Sequence, residues 1–441
     1  MKKIIILVIL LASVVGMNAQ FVLNGEYRPR TEFLHGYKAP MANQGEMFNL
    51  ATTQRARLGF FYDASKYRIG VQVQDVRAWG ATKQLVVGDG AFTTLHQAWG
   101  EILLNENLSV KIGRQELVYD DSRILGNVGW AQQARSHDLA LLKYEKKGDF
   151  KLHFGLAVNQ VQTRAYPVVG NYKSMQFLWL HKKINDDLQL SFLALNNGVN
   201  DTTLNNKTGS PMTTYSQIIG LRPVYKSGKF SAAMNLYYQM GNDKNTYYDN
   251  SDKLNHHFKM NAYNFRIDLG YKLNDNLKLS LGYEKLSGNS QTDTTTAYSQ
   301  VNHAFAPLYG TNHKFNGWMD YFYVGNHANS VGLNDVFIGL GYNKNKFLAG
   351  GQFHYFTAAA EVLDAKEWST NGNIKALSSG LGYELDTYVG YKYAKGVIFK
   401  AGVSAMFDSE TMRALKGGAY GASNYWGWMM IVIKPTFLNG K

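Results

Sequence analysis

Cysteine is absent from all 441 residues, which excludes disulfides, thiolate metal sites and a lipid-modified cysteine anchor. Proline is scarce, and no Ser/Pro-rich linker or block of charge divides the chain into domains. Beyond residue 19 no apolar run approaches the roughly 20 residues with which a helix crosses a bilayer. His96, His137, His313, His327 and His354 are scattered, without a ligand spacing such as HExxH. The pair Asp120 and Asp121 lacks the closely spaced oxygen donors of a hard-cation loop. The net charge of +13 comes with no zinc, helix-turn-helix or RNA-binding pattern. These absences imply no cofactor, no nucleic-acid partner and no enzymatic activity.

The chain begins with Lys2 and Lys3, a charge-free apolar run from Ile4 to Val15, and the small or polar Gly16, Met17, Asn18 and Ala19. That order is the mark of a secretory signal peptide over residues 1–19, leaving 20–441 as the exported domain.

In the exported part the strongest signal is alternation with period two. Phe21, Leu23, Gly25, Tyr27 and Phe33 oppose Asn24, Glu26, Arg28, Arg30 and Glu32. Tyr263, Phe265, Ile267 and Leu269 oppose Asn264, Arg266 and Asp268, and Tyr383, Leu385 and Val389 oppose Glu384 and Asp386. The connections decide between a soluble sandwich and a membrane barrel. Short turns near 63–66, 105–107, 147–149, 185–187, 226–229, 274–276, 343–346 and 394–396 alternate with long loops. The long loops fall near 35–49, 77–93, 116–136, 160–172, 196–213, 241–257, 287–334, 357–379 and 408–424. Strict short–long alternation suits an all-β transmembrane antiparallel barrel of about 18 strands, with short periplasmic turns and long extracellular loops. A bacterial outer membrane is the expected location and its lipids the expected surroundings, because only closure satisfies every sheet edge in hydrocarbon. Tyr62, Tyr67, Tyr283, Tyr342, Tyr393 and Trp428 are expected in the interfacial girdles. Gly155, Gly282, Gly339 and Gly402, on inward positions, are expected to leave room in the lumen.

Arginine gathers on the polar faces of the first strands, at Arg28, Arg30, Arg55, Arg57 and Arg68, with Arg266 inward on a later one. Arginines lining a low-dielectric constriction attract anions, while interleaved carboxylates keep them oriented. The segment GRQELVYDDSRILGNVGWAQQARSHD, 113–138, is dense in charge around apolar Leu125, Val128 and Trp130. That apolar content is expected of a loop folded into the barrel rather than lying over solvent.

This stretch, with PLYGTNHKFNGWMD at 307–320, resembles the alginate export porin family, and the resemblance extends over essentially the whole exported chain. It implies an eighteen-stranded barrel with an electropositive constriction through which an anionic polyuronate passes. It also implies that Arg114, Arg123 and Arg135 are pore residues acting as one unit, with Glu116, Asp120, Asp121 and Asp138 as counter-ions. The chain departs from the usual barrel ending, since Phe437 is followed by Leu438, Asn439, Gly440 and Lys441. The expected function is a channel for anionic solutes, such as a uronate saccharide, working with envelope components of export or uptake. A surface barrel acting as adhesin or receptor is the alternative, supported by the length of the 287–334 loop.

Overall fold

Each alternating segment becomes a strand hydrogen-bonded antiparallel to the next. The computed structural model describes residues 20–81, 93–159, 172–201, 212–249, 251 and 254–440; the expected leader lies outside them. The strands are β1 (Gln20–His35), β2 (Asn49–Asp63), β3 (Tyr67–Ala78), β4 (Thr93–Leu103), β5 (Leu108–Gln115), β6 (His137–Lys146) and β7 (Phe150–Val158). There follow β8 (Ser174–Lys183), β9 (Leu188–Asp201), β10 (Met212–Ser227), β11 (Phe230–Asp249), β12 (Leu254–Lys272) and β13 (Leu277–Leu286). The last are β14 (Val301–Asn302), β15 (Leu333–Lys344), β16 (Phe347–Thr357), β17 (Gly380–Ala394), β18 (Val397–Asp408), β19 (Asn424–Ile433) and β20 (Thr436–Gly440). Strand β14 belongs to a long loop and lies parallel on β12, so the wall passes from β13 to β15. Strand β19 closes the circle on β1, and β20 prolongs it. The result is a closed barrel of 18 wall strands.

The chain ending now has a physical account. Pro435 has no N–H to give the ladder, but its carbonyl accepts from the Gly25 amide at 2.9 Å. Pairing then resumes between Phe21 and Gly440, with a register shift after Leu23. Both ends of the described chain therefore lie at the short-turn end.

Alternation sorts each strand between hydrocarbon and lumen. In β15, Val336, Ile338 and Leu340 face out, while Asp335 and Phe337 are buried inside. Two connections differ from expectation. Nearly all the described residues of 196–213 and 241–257 are strand, since β9 and β10 pair as far as Asp201↔Met212, and β11 and β12 to Asp249↔Leu254. At 20 and 19 residues, β11 and β12 greatly exceed the roughly 9–11 that cross a membrane, so they project beyond it. Trp428 is not a girdle residue: it is 5 % exposed and faces inward.

The inner wall is not uniformly polar. Leu139, Leu141, Phe177, Leu193, Leu195 and Ile218 are buried inside, packed with Leu117, Ile124 and Leu125 of the loop after β5. These strands bury apolar side chains on both faces, lipid outside and an inserted loop within.

The inward glycines serve that packing rather than opening the lumen. Gly155, Gly282 and Gly402 stand directly opposite Phe177, Phe337 and Trp428. A Cβ added at those glycines would lie 2.1, 2.2 and 2.6 Å from the rings, and one at Gly339 would lie 2.7 Å from the Ser280 hydroxyl. Each ring lies over a bare stretch of backbone on the neighbouring strand. Gly282→Val is expected to displace Phe337 and destabilise the barrel by about 1–3 kcal/mol, as overpacking does. The measurement is the temperature at which the folded barrel loses its fast migration in detergent electrophoresis. Adding Phe337→Ala should recover part of the loss; an unchanged midpoint in the single variant would contradict the packing.

Candidate pore constriction

Two inserted segments, 117–135 and 307–323, meet inside the barrel. Gly126 N donates to Tyr309 O, and Thr311 N to Ser122 O, each at 2.9 Å. A Cβ at Gly126 would lie 2.3 Å from the Thr311 hydroxyl, and one at Gly310 would lie 2.1 Å from Arg123 O. Only glycine permits so close a crossing. The two stretches that carry the resemblance thus form one plug. Val128, β-branched yet at φ 51°, is held by an amide hydrogen bond to Thr311 Oγ1 at 3.1 Å.

The arginines of β1 and β2 grip this plug by its backbone. Arg28 donates to Gly129 O at 2.7 Å, Trp130 O at 3.0 Å, Ala131 O at 3.1 Å and the Gln132 amide oxygen at 2.9 Å. Arg30 pairs with Glu32, donates to Trp130 O and lies 4.4 Å from the centroid of the Trp130 ring. Arg55 reaches Gln132 O at 3.2 Å and pairs with Glu26 at 2.6 Å. Trp130 itself stacks on His313 and meets Trp426 and Trp428 edge-on. Arg57 donates to Gln74 and lies 3.8 Å from Glu116, but its Nη2 has no acceptor. A cavity of about 470 Å³ opens there on the short-turn side, lined by Arg28, Arg55, Arg57 and Lys434 with Glu26 and Glu116.

A second arc of the wall, from β12 to β17, is acidic and takes the opposite groups. Glu284, fully buried, pairs with Arg123 at 2.7 Å and Arg266 at 2.9 Å, and accepts from Asn264 and Asn316. Arg123 and Arg266 lie on either side of Glu284 and share the Phe315 ring as an apolar neighbour. Glu384 accepts the Met319 amide at 2.8 Å, and Asp386 the Trp318 amide at 3.3 Å. His354 bridges Asp335 and Asp386 at 2.9 and 3.9 Å.

The remaining candidates are dispersed. Asp120 accepts from Trp179 and Asp121 from Asn235, with Arg222 3.4 Å from Asp121. Arg135 donates to Gly310 O at 3.2 Å and Arg68 pairs with Asp63 at the short-turn end. Arg114 and Asp138 pair at 2.7 Å but are half exposed, on the face of β5 that carries exposed Ile112. Arg114, Arg123 and Arg135 are therefore not brought together as a unit. Glu284, Asp335 and His354 complete the constriction without having stood out in the sequence as functional residues. His96 touches both Glu116, at 2.7 Å, and Ser136. Ser136 Oγ sits 3.2 and 3.5 Å from the two ring nitrogens, in line with neither, so no nucleophile–base alignment results.

With the geometry in place, the comparisons decide the family. The family model described as alginate export matches residues 23–332. The chain belongs to the alginate export family. Solved structures share the fold across the whole chain. A BenF-like porin from Pseudomonas fluorescens Pf-5 aligns with TM-score 0.60 and 12% identity over 95% of this chain and 99% of its own. Pseudomonas aeruginosa OpdK with vanillate gives 0.58 and 10% over 95% and 99%, and P. aeruginosa OccK11 gives 0.57 and 10% over 96% and 97%. No curated protein matches. As a barrel of the alginate export family, the chain is an outer-membrane channel protein. The family match ends before β15, so the part of the acidic arc on β15–β17 lies beyond it.

Two outcomes are expected of this family member. Arg123→Gln leaves Glu284 with one guanidinium fewer, a change that costs about 3–5 kcal/mol at buried pairs. The plug should loosen, giving a lower heat-transition midpoint and larger conductance fluctuations; neither change would show that the pair is dispensable. In the outer loops, burial, with Lys416 beside it, lowers His327 from 6.5 to about 4. A histidine depressed on folding stabilises fully above about pH 6.5 and loses that contribution as pH falls toward 4. Protease resistance of the 287–332 loop should therefore fall between those values, and His327→Gln should flatten the dependence. An equally steep profile in the variant would assign it to another group.

Proposed function

We propose that the protein is a passive channel for anionic solutes, of which a uronate saccharide is the class its chemistry suits best. The observation that carries this is the short-turn chamber, where Arg28, Arg55, Arg57 and Lys434 face only Glu26 and Glu116. Arg57 lines that space too, and its buried Nη2 has no acceptor. A guanidinium fork matches a carboxylate in two parallel hydrogen bonds, which a lysine cannot do. Arg68, Lys66, Lys143 and Lys151 line a further cavity of about 700 Å³ near the same end, with Glu101 and Glu145 among them. Anions approaching from the periplasm thus meet cationic groups before they reach the plug. Arg123 and Arg266 are already committed to Glu284 in this reading, with Asp120 and Asp121 engaged by the wall. Arg28, Arg55 and Arg57 carry the selectivity.

The test is reversal potential across a planar bilayer under a salt gradient. Chloride should be preferred over potassium, and Arg55→Gln with Arg57→Gln should reduce that preference. Between 0.1 and 1 M salt the screening length falls from about 10 to about 3 Å, so block by a triuronate should weaken. Cation preference would overturn the reading. A barrel showing no conductance steps would instead favour a surface receptor.

A further inference from the structure

The chamber and the plug share their arginines, and this couples occupancy of one to the position of the other. Arg28 is 6 % exposed, yet all its hydrogen-bond acceptors are neutral: Gly129 O, Trp130 O, Ala131 O and the Gln132 amide. A buried guanidinium with no carboxylate in contact is poorly compensated, because its hydrogen bonds are met but its charge is not neutralised. Arg55 divides its donors between Glu26 and the same loop carbonyls. Gly129 and Asn127 of the loop line the chamber together with Arg28, Arg55 and Arg57. Arg57, whose side chain is 7 % exposed, also lines the chamber, and its buried Nη2 has no acceptor.

We infer that residues 129–132 are a latch opened by the substrate itself. A carboxylate entering from the short-turn side meets Arg57, then displaces the loop carbonyls from Arg28 and Arg55 and frees the segment to leave the wall. The freed carbonyls exchange into water admitted with the ligand, so no backbone group is stranded. Gln132, which donates to Thr53 O at 3.3 Å and Thr53 Oγ1 at 3.1 Å, and Arg30, which donates to Trp130 O at 2.8 Å, are the ties that close the latch when the ligand leaves. Neutral sugars lack the charge that drives the exchange. This inference rests on the anion-channel reading and adds its regulation.

The experiment uses the full-length barrel in a planar bilayer, with trigalacturonate or neutral maltotriose added on the short-turn side. Exchanging neutral acceptors for charged ones at two arginines should raise open probability about tenfold with trigalacturonate, and maltotriose should leave it unchanged. Arg28→Met should open without ligand and lose the response. Because that variant removes a buried anchor, a second one keeps the latch and fixes it. Ala131→Cys with Thr53→Cys, in a chain that has no other cysteine, is bridged by a short bis-methanethiosulfonate. Bridged channels should ignore trigalacturonate, and reductant should restore the response. Anion preference with block but no opening by trigalacturonate would overturn the latch while leaving the channel reading intact. Cation preference would remove both.

Discussion

A chain threaded through the inside of a barrel carries backbone N–H and C=O groups that the strand ladders cannot satisfy. Every wall strand spends its own donors and acceptors on its neighbours. The inserted segments must therefore take their partners from side chains on the wall. Carbonyls at 129–132 need donors, and β1 and β2 supply arginines; amides at 318 and 319 need acceptors, and β17 supplies carboxylates. The charge pattern of the lumen follows from which backbone groups the plug turns toward each arc.

This constraint links stability to permeation. A guanidinium that staples a loop is also the group an anion seeks, so stapling and selectivity compete for one set of donors. Arg28 and Arg55 sit at that boundary, with hydrogen bonds to the plug on one side and a chamber on the other. Arg123 and Arg266 do not, because Glu284 and Asp268 already supply full charges. The same residue type thus splits into a class that holds loop carbonyls beside the chamber and a class whose charge is met by carboxylates within the acidic arc.

The barrel was legible in the sequence because hydrocarbon demands an apolar outer face on every strand, whatever lies inside. Its inner face was legible only where it is polar. On β6, β8 and β9 the plug adds a second apolar surface, so HDLALLKYEK and SMQFLWLHKK read as nearly continuous runs in which alternation is lost. Segments 196–213 and 241–257 look like loops because Asn, Thr, Asp and Lys dominate them, yet strands that have left the bilayer bear polar side chains on both faces. Arg114 was read as part of a loop; counting two from Ile112 along β5 places it outward, which the strand's true end at Gln115 makes plain. Glu284 and Asp335 escaped notice because one carboxylate on a strand is common, and only the return of the distant 307–323 segment makes these two central.

The glycines carry the last step of the same logic. An inward aromatic on one strand needs a flat place to lie, and a glycine opposite it provides exposed peptide planes without a Cβ. Phe337 over Gly282 shows the consequence, since its ring then approaches the Arg266 guanidinium at 4.6 Å and helps hold it beside Glu284. Trp428 over Gly402 does the same for Trp130, whose ring carries Arg30. The wall thus fixes its charged groups indirectly, through rings seated on neighbouring strands. Long side chains that would otherwise sample many rotamers are confined before any solute arrives, and that prior confinement lets a wide barrel present a defined set of charges.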